Sequence, residues 1–170
     1  MKSHFQMFAA YNRWANAVLY GAAAQLPDAD YRRDRGAFFK SVHGTLNHIL
    51  AADRIWMKRF TGEGDAPKQL DAIICDDLDN LRAEREREDQ RIVGWVAGMD
   101  AKGLAGRFTY VAVTDMRTIS QRLAPALAHF FNHQTHHRGQ AHAILTGFGL
   151  EAPVLDLIYF QRSEEGRKWA

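Results

Sequence analysis

Apolar residues recur at three- and four-residue steps through four long stretches of the chain, the spacing that gathers them on one side of a helix. The first stretch runs from about residue 4 to 25, with Phe8, Tyr11, Ala15, Val18, Leu19, Ala22 and Leu26 on one face. The segment LPDADYRRDRG breaks it with proline, acids and glycine. The second runs from about 40 to 61 through Leu46, Ile49, Leu50, Trp56, Met57 and Phe60, and TGEGDAPK ends it. The third begins near Asp76 or Asp77, both suitable N-caps, and reaches Met99 through Leu78, Leu81, Ile92, Trp95 and Val96. Its middle, RAEREREDQR, alternates in sign at short range and reads as a charge-laced, solvated face.

Between residues 103 and 119 the period changes. GRFTYVAVTDMRTIS is rich in β-branched and aromatic residues with Thr-Asp near its middle, which predicts a short hairpin. The fourth helix is expected from about 120 to 147, with Ser120 or Thr118 near its start and Pro125 tolerated in or near the first turns. The tail VLDLIYFQR predicts a short helix or an extended cover. Four amphipathic helices make an all-α bundle with a hairpin between the third and fourth, and no linker or repeat divides residues 1–170 into more than one domain. The connections, the second above all, are long enough for crossovers, so a simple up-down-up-down order does not follow.

Composition narrows the function. Twenty-two Lys and Arg against twenty Asp and Glu leave a net charge of +2, with no basic stripe for nucleic acid. The single cysteine, Cys75, excludes an internal disulfide or a CxxC site and reads as structural. No stretch has the length and apolarity of a membrane span and no leader pattern opens the chain, so a cytoplasmic location is expected.

The chemistry lies in HFFNHQTHHRGQAHAIL. His133 and His137 are four apart, about 40° on a helical wheel, so both imidazoles leave one face one turn apart, as a shared metal requires. Ala126, Phe130, Ala141 and Ile144 share that face and turn it inward. His129 and His136 fall at the margin of the stripe, and His142, about 180° away, points elsewhere as a surface residue. His4 has no evident companion. A third ligand must come from another helix, and the second offers His43, His48 or Asp53, the last as a ligand or as a carboxylate orienting one. Periodicity does not choose among them. HxxxH without the glutamate of HExxH also describes a metal-free pair of core histidines.

YNRWAN in the first helix, GTLNHILAADRIW in the second, FNHQTHHRGQ in the fourth and the closing LDLIYF resemble, in order, the DinB family of four-helix-bundle metalloproteins, which includes the group named for YfiT. The resemblance spans nearly the whole chain. It implies a divalent metal (zinc, nickel or iron) held by His48, His133 and His137, with His43 structural or lining the pocket. Relatives of this fold use the metal to activate low-molecular-weight thiols in S-transfer and isomerisation. The implied function is therefore a metal-dependent enzyme acting on a thiol or on water, S-transferase-like or hydrolase-like. Tyr11, Asn12, Trp14, Asn16, Asp53, His129, His136 and Gln140 are candidates for the pocket wall. No general base is assigned. The alternative is a non-catalytic, stress-related metal-binding or interaction module. A small-molecule substrate and a homodimer are the expected partners.

Overall fold

A computed structural model describes residues 1–112 and 116–170. In chain order the elements are α1 (Lys2–Ala23), α2 (Asp28–Tyr31), α3 (Val42–Thr61), α4 (Leu78–Gly98), α5 (Ala101–Ala105), β1 (Arg107–Val111), β2 (Thr118–Arg122), α6 (Leu123–Gly147) and α7 (Leu157–Arg162). The four long helices are those the apolar spacing predicts. Ser41 caps α3 by accepting from the Gly44 N–H, and Asp77 caps α4 by accepting from Asn80. Gly62 closes α3 at φ 76°, a left-handed turn that glycine adopts without steric cost.

The fourth helix starts later than expected. Ser120 and Thr118 lie in β2, paired with Thr109 and Val111, and the helix begins at Leu123. The ladder takes these residues as far as Arg122, so Pro125 becomes the third helical residue, where no backbone donor is needed. The Thr-Asp pair expected in the hairpin turn lies outside the described residues. The tail forms α7, whose Phe160 is buried against Tyr11, Trp14 and Trp169.

Helix α1 packs on α4 and α6, and α3 packs on the same two, so α1 and α3 sit on one diagonal and α4 and α6 on the other. Side-chain pairings give the directions. Phe5 with Phe131 and Asn12 with Arg138 make α1 and α6 parallel, while Asp53 with Arg85 and Thr61 with Arg91 do the same for α3 and α4. The order is therefore up-down-down-up. Residues 62–77, joining two parallel helices, run back along the bundle and pass beside α3.

Apolar side chains fill the two ends. Leu19, Leu46, Leu50, Leu81 and Leu145 form one core, and Phe5, Met57, Ile92, Leu127 and Phe130 form the other. Between them lies a polar layer reaching all four helices. Arg138 donates to Asn12 and Asn16, both asparagines donate to Asp89, Arg85 bridges Asp89 and Asp53, and Gln134 donates to Asp53. The charged run of α4 is thus solvated on one side only, at Glu86, Arg87 and Gln90, while Arg85, Glu88 and Asp89 turn inward. Arg85 is 1% and Asp89 2% exposed, because they stand four and eight residues after Leu81 on the same buried stripe. Among the described residues, no helix is long and apolar enough to cross a membrane.

Candidate metal centre

His48 on α3 and His133 and His137 on antiparallel α6 meet at the level of the polar layer, on the face where those two helices adjoin. The Nε2 atoms of His48 and His137 are 3.1 Å apart, and those of His137 and His133 also 3.1 Å. One donor atom from each of the three lies within 4.8 Å of the others. Imidazole nitrogens bound at about 2.0–2.1 Å to one ion stand roughly 3 to 3.5 Å apart, so the spacing suits a shared cation. His48 and His137 are buried and His133 is half-buried.

The surroundings set the state of the rings. The Leu70 carbonyl, from the segment that runs back along α3, lies 2.7 Å from His48 Nδ1. A carbonyl only accepts, so Nδ1 carries the proton and Nε2 keeps its lone pair. Gln140 Oε1 does the same for His137 Nδ1 at 2.8 Å, while the Gln140 amide nitrogen faces His136 Nε2 at 3.1 Å. The glutamine amide is oriented on this network. Burial lowers all three histidine pKa values, His48 to about 4 and His133 to about 3, and holds the rings neutral at neutral pH. Two lone pairs, on His48 and His137, then face each other across 3.1 Å with no proton between them. A cation relieves that repulsion, and the donor set fits one.

Phe39 completes the wall. Its ring stacks on His48 at 3.7 Å and 14°, and meets His137 edge-on at 5.5 Å. The loop reaches this position because α3 has glycine at 44, where a Cβ would stand 2.1 Å from the Phe39 carbonyl oxygen.

The DinB family model matches residues 1–168. The chain belongs to the DinB family. Protein DinB of Bacillus subtilis (strain 168) is 24% identical over 155 residues, covering 86% of this chain and 87% of that relative.

The other residues singled out in this DinB-family sequence divide between two places. Gln140 and His136 line the centre, and His129 stands beside it, its ring 5.8 Å from His133 and 5.2 Å from Trp56. Asp53 is neither a ligand nor an orienting carboxylate, since its oxygens are taken by Arg85 and Gln134. Asn12 and Asn16 belong to the polar layer rather than to the histidine centre, and Asn16 also lines a small cavity between α1 and α4. Tyr11 donates to the Leu155 carbonyl at 2.6 Å, and Trp14 packs on Phe160. His142 is half-buried rather than free on the surface; with Tyr11 and Arg138 it lines a cavity of about 630 Å³ beneath residues 152–159, on the α1 side of α6. Burial raises the Cys75 thiol pKa, which fits a structural residue. Sequence reasoning missed Phe39, which sits in a stretch without helical period, and the Leu70 carbonyl, which has no side-chain signature. Arg85 and Asp89 carried a usable signal, their register with Leu81 and Ile92.

Proposed function

We propose that this protein is a metal-dependent enzyme whose centre, held by His48, His133 and His137, binds a small molecule through a thiol or a water. The reading rests above all on the paired Nε2 lone pairs of His48 and His137, 3.1 Å apart in a site whose outer nitrogens are already committed as donors. Three neutral nitrogens are fewer than the four ligands of a closed structural zinc site, which favours an open position for a reactant. A divalent ion bound there supplies Lewis acidity, lowering the pKa of a thiol or water that occupies the open position.

The chain's own residues do the positioning. Leu70 fixes the tautomer of His48, and Gln140 fixes that of His137, so both present a donor without a competing proton. Phe39 covers the His48 ring and excludes water from one side, which strengthens electrostatic interactions inside. Half-buried His133 is the more open of the three, so a ligand approaches along the His133 and His129 side.

Elemental analysis of untagged protein tests the centre. One divalent ion per chain is expected, and its loss in both His48→Ala and His133→Ala. An unchanged stoichiometry in either variant rejects the assignment. A transfer screen with several thiols and electrophiles then tests the reaction; turnover that is lost on chelation and restored by metal supports it. A loaded, folded protein inert to every thiol and hydrolysable ester offered favours a binding module instead.

A further inference from the structure

A second concave surface lies farther along α3 from the histidine centre and carries charge that no described residue neutralises in an ion pair. It is a cleft of about 490 Å³ between the C-terminal half of α3, the segment around Pro67 and strand β1, a volume that accommodates a small ligand. Ile55, Pro67 and Tyr110 give it an apolar floor, and Lys58, Arg59 and Lys68 line it. Among the described residues none of these three cations forms an ion pair. Arg59 is half-buried, resting 4.6 Å from the Trp56 ring and 4.5 Å from the Tyr110 ring. Those contacts hold the guanidinium by its face, and Arg59 has no carboxylate partner among the described residues.

Helix α3 and the segment that carries the Leu70 carbonyl, which together hold His48, also line this cleft. Ile55 follows His48 by seven residues, two helical turns on one face and about 10 Å along the axis. Lys68 precedes by two residues the carbonyl that holds His48. Aromatic contacts run from Arg59 to Trp56, from Trp56 to His129 at 5.2 Å, and from His129 to His133 at 5.8 Å.

We propose that the cleft docks an anionic group of the molecule whose other end reaches the histidine centre. The ligand is then a small carboxylate- or phosphate-bearing molecule with an apolar middle. Arg59 provides a planar, charge-assisted contact, and Lys58 and Lys68 add charge at the rim. The second contact, at the histidines, rests on the metal-centre reading; the first does not.

Two titrations separate these dependences. Metal-free protein is titrated calorimetrically with hexanoate, hexyl phosphate and hexanol. The anions are expected to bind about tenfold more tightly than the alcohol, the scale of one charge-assisted hydrogen bond. Whichever anion binds better identifies the headgroup. The preference should vanish in Arg59→Met and shrink in the exposed-lysine variant Lys58→Met/Lys68→Met, which guards against a fold effect at Arg59. Protein loaded with Co²⁺ is then titrated with mercaptohexanoate and mercaptohexanol, following the thiolate-to-cobalt absorption band. The carboxylate should again bind about tenfold more tightly. Equal affinity of anion and alcohol in the metal-free titration, or a preference that survives both variants, overturns the anion site. Failure to bind Co²⁺ with the hexanoate preference intact overturns the metal centre and leaves the anion site standing.

Discussion

Two buried polar clusters lie at the same height in this bundle, on different faces of α6, and they are built on opposite principles. The layer around Arg85 and Arg138 contains its own counter-charges: each carboxylate meets a guanidinium, and asparagine and glutamine amides take remaining lone pairs. The histidine cluster contains no counter-charge. Its rings are held neutral, the outer nitrogens of His48 and His137 are satisfied, and the inner nitrogens of all three converge. A charge-balanced network holds helices together even with the buried Nε of Arg85 and Arg138 and Oε1 of Gln134 left without partners among the described residues. The histidine cluster instead offers lone pairs with no charge to meet them. Burial alone does not distinguish the two clusters; the presence of internal counter-charge does.

The largest expected effect breaks the charge-balanced cluster. Burial pushes the carboxyl pKa values of Asp53 and Asp89 up, and Arg85 pulls both down. Arg85→Met leaves both acids uncompensated, and removing one partner of a buried pair costs about 3–5 kcal/mol. Urea unfolding monitored by circular dichroism measures the loss. The folded fraction should keep its metal, because Arg85 touches none of the three histidines. A loss below about 1 kcal/mol would mean that the layer is not closed by charge at all.

His137→Ala works on the histidine cluster and should behave in reverse. Its Nε2 stands between the other two donors, so metal content should fall to background while the helical signal of the metal-free protein is retained. The difference appears as lost linkage. With free metal at a thousandfold its dissociation constant, the wild type gains about 4 kcal/mol and the variant nothing. Thermal unfolding with and without added zinc reads this directly. If chelation instead unfolds the wild type, the centre is structural and the contrast between the clusters disappears.

A smaller effect separates ligands from the groups that aim them. Gln140→Ala removes the acceptor that fixes the His137 tautomer but leaves all three donors in place. Such outer partners contribute about 10–100-fold in metal affinity. A competition titration against a chelator dye should find that decrease with the stoichiometry intact.

The sequence made the histidine pair legible and the layer illegible, for a physical reason. HxxxH on a helix states its own geometry, because four residues return a side chain to the same face whatever the tertiary structure. RAEREREDQR states only that charges are dense; whether a given one faces water depends on what packs against it. Arg85, Glu88 and Asp89 share the stripe of Leu81, Ile92 and Val96, so the register was present beneath the charge pattern. Composition concealed what periodicity contained. The start of α6 was hidden differently, since Thr118 and Ser120 are good caps in isolation and the β-ladder, a non-local pairing, claims them. The Leu70 carbonyl could not be read at all, because any residue supplies a carbonyl.

The smallest effect tests the choice between His43 and His48, which periodicity left open. Five residues separate them, about 140° on the wheel, so a helix that aims His48 at α6 turns His43 away. His43 instead meets the Tyr31 ring edge-on at 5.3 Å, and its buried Nε2 has no hydrogen-bond partner among the described residues. His43→Ala should therefore leave metal affinity within about twofold of wild type, well short of the tenfold or greater losses that follow removal of an outer partner. Any stability change should come from the truncated ring packing, offset in part because the unpaired nitrogen is also removed. The same chelator competition that reports Gln140→Ala measures it. A loss of ten-fold or more would place His43 in the centre and require α3 to rotate about its axis, taking His48 away from the Leu70 carbonyl and Phe39.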